Sequence, residues 1–191
     1  MSLSIMIQLL IKKEWSHGST ARNKSFKVTK NDNWWYWRVF ENWTSSQNVA
    51  IYLTWAPHSD VQVTKNYLTF EEHNRNEGWG IVLKETNQLI GNISVVDDKP
   101  KTKTKALGYV LGEKFWNQGY MSEALIEVID FLFETTDVNR IEAEHDTENP
   151  GSGRVMEKAG MTFEGILREA KLNNRGIVDV ALYSILRSER K

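Results

Sequence analysis

The apolar periods along this 191-residue chain follow an order that calls for an α/β (α+β) domain: a mixed sheet with helices on both faces. Three observations carry that expectation. Residues 121–134 form an amphipathic helix with one apolar stripe, two pairs of β-rich runs are each joined by a short polar turn, and the remaining helices fall between strands.

In chain order, a helix is expected over about residues 31–43, capped by Asn31 or Asp32, with Trp35, Val39, Phe40 and Trp43 at helical spacing. A second runs over 59–76. Ser59 and Asp60 can cap it, Val63, Tyr67, Leu68 and Phe70 are its apolar residues, and Gly78 ends it. Residues 79–83 and 89–96 read as an antiparallel hairpin around Lys84-Glu85-Thr86-Asn87-Gln88. The lysines and threonines of 99–105 then make a solvent loop. A strand over 106–111 precedes the strongest helix, whose stripe is Met121, Ala124, Leu125, Val128, Ile129 and Leu132. Residues 140–146 form a strand, and 150–159 a helix with Pro150 in its first turn and Gly160 at its end. The strands 161–172 and 177–186 turn at Asn173-Asn174-Arg175-Gly176.

Hydrophobic residues make up 40%, charged residues 26%, and the net charge is −1. That balance excludes disordered, fibrous and strongly nucleic-acid-binding classes, and the length suits one domain. The chain has no cysteine, which removes disulfides, thiolate nucleophiles and cysteine-bound metals, and fits a reducing, cytoplasmic setting. The apolar run at residues 3–11 is too short to span a bilayer and lacks the marks of a signal peptide, so no membrane partner is expected. His17, His58, His73 and His145 show no paired ligand spacing, so no metal is expected either, and Gly151-Ser152-Gly153 is not a nucleophile elbow.

Two segments carry chemistry. Trp116-Asn117-Gln118-Gly119-Tyr120-Met121-Ser122 joins a strand to the start of the strongest helix. First-turn N–H groups of a helix lack partners and lie at its positive end, and Gly119 lets the backbone come close to an anion, so a diphosphate suits this loop. Neither a Walker loop nor a Gly-x-Gly-x-x-Gly fingerprint occurs in the chain. The second segment, Asn149-Pro150-Gly151-Ser152-Gly153-Arg154, offers Asn149 as a cap and Ser152 on the outward side of a first turn.

Together these segments resemble the GNAT superfamily of acetyltransferases, most closely its branch of Rim-type ribosomal-protein N-terminal acetyltransferases, over about residues 39–186. The family's signature of Gln or Arg, two variable residues, Gly, one variable residue, then Gly or Ala falls on Trp116, Asn117, Gln118, Gly119, Tyr120 and Met121, with Gly119 matching. Tyr52-Leu53-Thr54-Trp55-Ala56-Pro57-His58, Ile90-Gly91-Asn92-Ile93, Gly108-Tyr109-Val110-Leu111 and Glu157-Lys158-Ala159-Gly160-Met161 match in the same order.

The resemblance implies a mostly antiparallel sheet in which two strands, ending at Leu111 and about Asp146, splay to hold acetyl-CoA. Val110 and Leu111 then offer backbone groups to the pantetheine and the thioester carbonyl, and Trp116, Asn117, Gln118, Gly119, Tyr120, Met121 and Ser122 surround the diphosphate. Ser152 is expected to protonate the departing thiolate; Asn149 contacts the pantetheine, caps its helix, or does both. The base lies among Glu142, Glu144, His145 and Asp146, with Glu144 put first and a solvent chain as another route. Alternation puts His145 on the face opposite the three carboxylates. Trp55 and His58 are expected to line the acceptor pocket. The acceptor is a primary amine, attacked directly in a ternary complex; the resemblance favours a protein or peptide N-terminus over a polyamine, an amino sugar or an antibiotic. Monomer and homodimer both stay open.

Residues 1–38 lack the family's opening Arg-Leu-x-Leu-Arg pattern, so they are expected to be an atypical segment packed on the same domain as residues 39–191. Two rival readings remain. Met121 in place of Gly or Ala, with the missing opening pattern, suits a module that binds CoA without catalysis. Trp34, Trp35, Tyr36 and Trp37 beside Arg38, Lys24, Lys27 and Lys30 suit base stacking, although the net charge opposes nucleic acid as a partner.

Overall fold

The computed structural model describes residues 5–11, 34–74 and 77–190. Among them, seven strands form one sheet: β1 (Ile5–Ile11), β2 (Gly78–Leu83), β3 (Leu89–Lys99), β4 (Thr104–Leu111), β5 (Arg140–Asp146), β6 (Thr162–Asn173) and β7 (Gly176–Leu186). Their order is β1-β2-β3-β4-β5-β7-β6. Every neighbouring pair is antiparallel except β4 and β5. The helices are α1 (Trp34–Val39), α2 (Gln47–Ala50), α3 (Val61–Asn74), α4 (Tyr120–Thr135) and α5 (Pro150–Lys158).

Alternation along the strands divides the core in two. One cluster joins Ile81, Ile93, Leu107 and Ile141 of the sheet to Ala124, Leu125, Val128, Ile129 and Leu132 of α4 and Met156 of α5. The other joins Val82 and Leu89 to Val39, Trp43 and Val49. Helices therefore cover both faces. Burying each of these aliphatic side chains contributes about 1.5–3 kcal/mol, so the stripe that predicts α4 also fixes it against the sheet. At the start of α3, Asp60 Oδ1 accepts from the N–H groups of Gln62 (2.7 Å) and Val63 (3.1 Å), which makes Asp60 the cap.

The structure corrects four expectations. The apolar run at the N-terminus, broken by Gln8 alone, is strand β1, paired with β2; seven residues with no period-2 alternation gave no strand signal. The first helix does not run on as α-helix to Trp43: after α1 it widens to a π-turn at Phe40–Thr44, with Ser45 N–H on Phe40 O at 3.1 Å. The loop expected at 99–105 shrinks to a 3-10 turn at Pro100–Thr102 and Lys103, since β3 reaches Lys99 and β4 begins at Thr104. Short turns at α2 and at Glu113–Phe115 were not expected at all. The proposed caps Asn31 and Asp32, the end of the second helix at 75–76, and His17, Lys24, Lys27 and Lys30 lie outside the described residues.

Candidate active site

The ladder between β4 and β5 runs from Thr104 with Arg140 to Leu107 with Ala143 and stops. Beyond it β4 stays with β3 as far as Leu111, and β5 stays with β7 as far as Asp146. The two strands therefore part, leaving a cleft of about 560 Å³, within the range that holds small molecules and cofactors.

Alternation in the β3–β4 ladder decides which backbone groups face this gap. Gly112 N–H donates to Ile90 O at 2.9 Å, so Val110, two residues back, also faces β3. Leu111, between them, turns its N–H and C=O toward the gap. Of the two residues expected to offer backbone groups there, Leu111 turns its N–H to the gap while its C=O accepts from the Trp116 indole, and Val110 contributes its surface to the lining.

At one mouth of the cleft Asn117 (φ +60°) and Gly119 (φ +87°) are both left-handed. No side chain caps α4 at Gly119, so its first N–H groups stay available to a ligand. A Cβ on Gly119 would meet nothing within 4 Å; the glycine answers the φ angle, and the space above it is open. The Trp116 indole donates to Leu111 O at 2.8 Å, lacing the loop to β4. Gln118 is the one loop residue outside the lining, its amide donating to Lys114 O at 2.9 Å. Met121 is 4% exposed and its side chain belongs to the core, so it adds no bulk over the loop. Tyr120 and Ser122 line the cleft. So do Arg154 and Lys158, cations four residues apart on α5, whose spacing was a readable signal that the sequence reading passed over.

At the other wall, Asn149 Oδ1 accepts the Ser152 N–H at 3.4 Å, so its capping role is met. Ser152 Oγ donates to Tyr109 Oη at 2.9 Å, and Tyr109 Oη donates back to Ser152 O at 3.0 Å. Burial pushes the Tyr109 phenol well above its ordinary value.

The four base candidates separate clearly. Glu142 is held by Lys99 Nζ (2.5 Å) and Arg140 Nε (3.0 Å); burial opposes its ionisation, yet these cations keep its pKa below the usual range. Asp146 is 5% exposed and bound by Arg175 (2.9 and 3.0 Å), Asn173 (2.8 Å) and the Glu148 N–H (2.8 Å). Its pKa is lowered too, against burial. Glu144 lines the cleft and has one ion pair, Lys171 at 2.7 Å. His145 also borders the cleft, but its ring is tucked against α5, where a Cβ at Gly153 would sit 2.7 Å from Nε2. Its Nδ1 is 2.8 Å from Asp146 O, and Nε2 is buried with no hydrogen-bond partner among the described residues.

In the segment expected to meet the acceptor, Tyr52 and Leu53 line the cleft, whereas Trp55 and His58, the two residues expected there, are not part of the lining. Trp55 packs its ring 5.2 Å from His58 and 6.1 Å from Tyr67. His58 is buried, with Nδ1 2.8 Å from Thr64 Oγ1, and burial lowers its pKa although Asp60 pulls the other way. The β6–β7 turn touches this loop directly: Asn174 Nδ2 donates to Ala50 O (2.9 Å) and Trp55 O (2.8 Å).

A parallel strand pair opened into a cleft, with a bare helix start at one mouth and a serine hydroxyl on the facing wall, has room for an extended ligand that ends in an anion. The chain belongs to the acetyltransferase (GNAT) domain family, which matches residues 32–162, and it is an acetyl-transferring enzyme. It is 29% identical to the uncharacterized N-acetyltransferase p20 of Bacillus licheniformis over 149 residues, 76% of this chain and 84% of that protein. It is 31% identical to the ribosomal-protein-serine acetyltransferase of Escherichia coli (strain K12) over 112 residues, 59% and 63% of the two chains, in keeping with the Rim-type branch. The crystal structure of a GNAT-family acetyltransferase from Bacillus anthracis superposes with a TM-score of 0.73 at 27% identity, covering 82% of this chain and 92% of that one.

Proposed function

We propose that the protein transfers the acetyl group of acetyl-CoA to the primary amine of a protein or peptide N-terminus, by direct attack in a ternary complex. One observation carries the reading: the opening of β4 from β5 beyond Leu107 and Ala143 sets Leu111, Ser152, Glu144 and the bare start of α4 around a single cleft. The acceptor class draws support from the ribosomal-protein-serine acetyltransferase among the relatives.

Acetyl-CoA supplies the thioester carbonyl. The N–H groups around residues 118–122 and the Arg154 and Lys158 cations hold its phosphates, with Trp116 and Asn117 shaping the loop. The Leu111 N–H stabilises the oxyanion that forms when the amine attacks, an interaction on the order of 3 kcal/mol in other acyl-transfer sites. Glu144 takes the proton that the amine sheds. The C–S bond then breaks, and Ser152 Oγ hands its proton to sulfur. Tyr52 and Leu53 face the acceptor; Trp55 and His58 support that loop from behind. The whole chain is read as one domain, residues 39–191 with the atypical 1–38 segment packed on it, working in the cytoplasm as a monomer or homodimer.

The test is a thiol-release assay over a panel of amines with wild type and Ser152→Ala. Peptide N-termini should be the best acceptors, and the substitution should lower kcat about 100-fold while leaving acetyl-CoA affinity unchanged. Preference for polyamines or amino sugars would overturn the acceptor class, and full turnover by Ser152→Ala would return that serine to scaffolding.

A further inference from the structure

We propose that Tyr109 is a positioning residue for the leaving-group end of the reaction: it sets the Ser152 hydroxyl and becomes a donor to its oxygen as the serine proton moves to sulfur. This rests on the reading of Ser152 given above.

Tyr109 lies on β4 just past the last residue paired with β5, so its side chain crosses the opened gap to the first turn of α5. A phenol carries one donor and two acceptor sites. Here its donor goes to Ser152 O at 3.0 Å and its oxygen receives the Ser152 hydroxyl at 2.9 Å. Both contacts fall on one residue, 43 positions away.

The arrangement has a chemical consequence. With its proton on Tyr109, Ser152 offers none to a thiolate, so the hydroxyl must rotate about Cβ–Oγ before it can act. The oxygen left facing Tyr109 then needs a donor. Ser152 Oγ and Ser152 O are almost equally near Tyr109 Oη, so the phenol proton can pass from one to the other by rotating about its own C–O bond, with no heavy atom displaced. The phenol then stabilises the serine oxygen as its O–H bond weakens, and the proton count is unchanged: one proton goes from Ser152 to sulfur and the phenol keeps its own. Burial, which holds the phenol neutral, keeps that donor available through the ordinary working range. A hydroxyl pointing into water would have to find its donor from solvent in each turnover.

The rival reading makes Tyr109 a brace that ties α5 to β4, and a double-mutant cycle separates the two. Phe fills nearly the same space, so Tyr109→Phe should fold, checked by its thermal midpoint. Expected is a kcat about 10-fold lower, as part of the effect of a general acid, with acetyl-CoA affinity unchanged by calorimetry. In the Ser152→Ala background the same substitution should cost nothing more. Equal loss in both backgrounds, or a loss of acetyl-CoA affinity as large as the loss of turnover, makes Tyr109 a brace and ends the proposal. Full activity of Ser152→Ala alone would remove the acid itself, an outcome distinct from a failure confined to Tyr109.

Discussion

The two walls of the cleft, which the proposed function assigns to cofactor and acceptor, are held by different kinds of interaction. On the cofactor side, β4 and the starts of α4 and α5 present backbone groups, backed by core residues such as Leu125, Ile129, Ile141 and Met156, each 0% exposed. On the acceptor side, three consecutive turn residues do the holding through side chains. Asn173 and Arg175 bind Asp146, Asn174 spans to Ala50 O and Trp55 O, and the Arg175 guanidinium sits 5.8 Å over the Tyr52 ring. A wall built from backbone in regular elements tolerates side-chain change and keeps one shape for one carrier. A wall tied by individual side chains can be rebuilt residue by residue, which suits the side of the enzyme that must match its acceptor.

Within this comparison the largest effect should come from the proposed cofactor wall, at the left-handed glycine before α4. Gly119→Val places a β-branched residue at φ +87°, a conformation that costs about 1–2 kcal/mol for an L-residue. Since no protein atom lies within 4 Å of the added Cβ, the fold should survive. The loop should relax away from its left-handed turn, and acetyl-CoA affinity by calorimetry should fall about 10-fold, the equivalent of that strain. Undiminished affinity in a folded variant would mean that the start of α4 does not carry the diphosphate.

The same contrast explains what could be read from the chain. The cofactor wall was legible because its parts are regular: the α4 stripe, Pro150 at a helix start, and a glycine before a helix each report local rules, and their order completed the pattern. The strand β5 was placed residue for residue at Arg140–Asp146. The acceptor wall was not, because Trp55 and His58 look alike as lining or as support, and only contacts with Thr64 and Tyr67, fixed by α3, decide that they stand behind Tyr52. Tyr109 stands within a motif, but nothing in the sequence pairs it with Ser152, since two residues so far apart meet only through the opening of β4 from β5. Glu142, Glu144 and Asp146 were indistinguishable by alternation; the cations that set them apart come from β3, β5, β6 and the last turn.

A smaller but twofold effect is expected on the acceptor wall from Asp146→Ala. Arg175 and Asn173 lose their common partner, so the acceptor KM should rise about fivefold with acetyl-CoA affinity unchanged, and stability should drop by about 1–3 kcal/mol. The pH dependence has a definite sign. Asp146 is more acidic in the folded chain than in the unfolded one, so its contribution is complete above the unfolded value of about 3.9 and is lost as pH falls through the lower native value. Thermal midpoints of wild type and variant should therefore differ most above pH 4 and converge below it. A gap that stayed constant down to pH 2.5 would mean that the carboxylate charge is not what ties the turn to β5.

The smallest effect belongs to His58, which tests whether the support behind Tyr52 is a buried neutral ring. Its folded pKa is lowered by burial, so below the unfolded value of about 6.5 the unfolded chain takes up a proton that the native chain resists, and stability declines as pH falls. His58→Asn removes that slope. Between pH 7.5 and 5 the thermal midpoint of wild type should fall faster than that of the variant, by an amount corresponding to less than about 1 kcal/mol. Because the ring touches Thr64 and Trp55 rather than the cleft, the same titration should leave acetyl-CoA binding unmoved and raise the acceptor KM only as the loop loosens. Parallel melting curves, or a loss of cofactor affinity over this range, would put His58 on the other side of the division between the two walls.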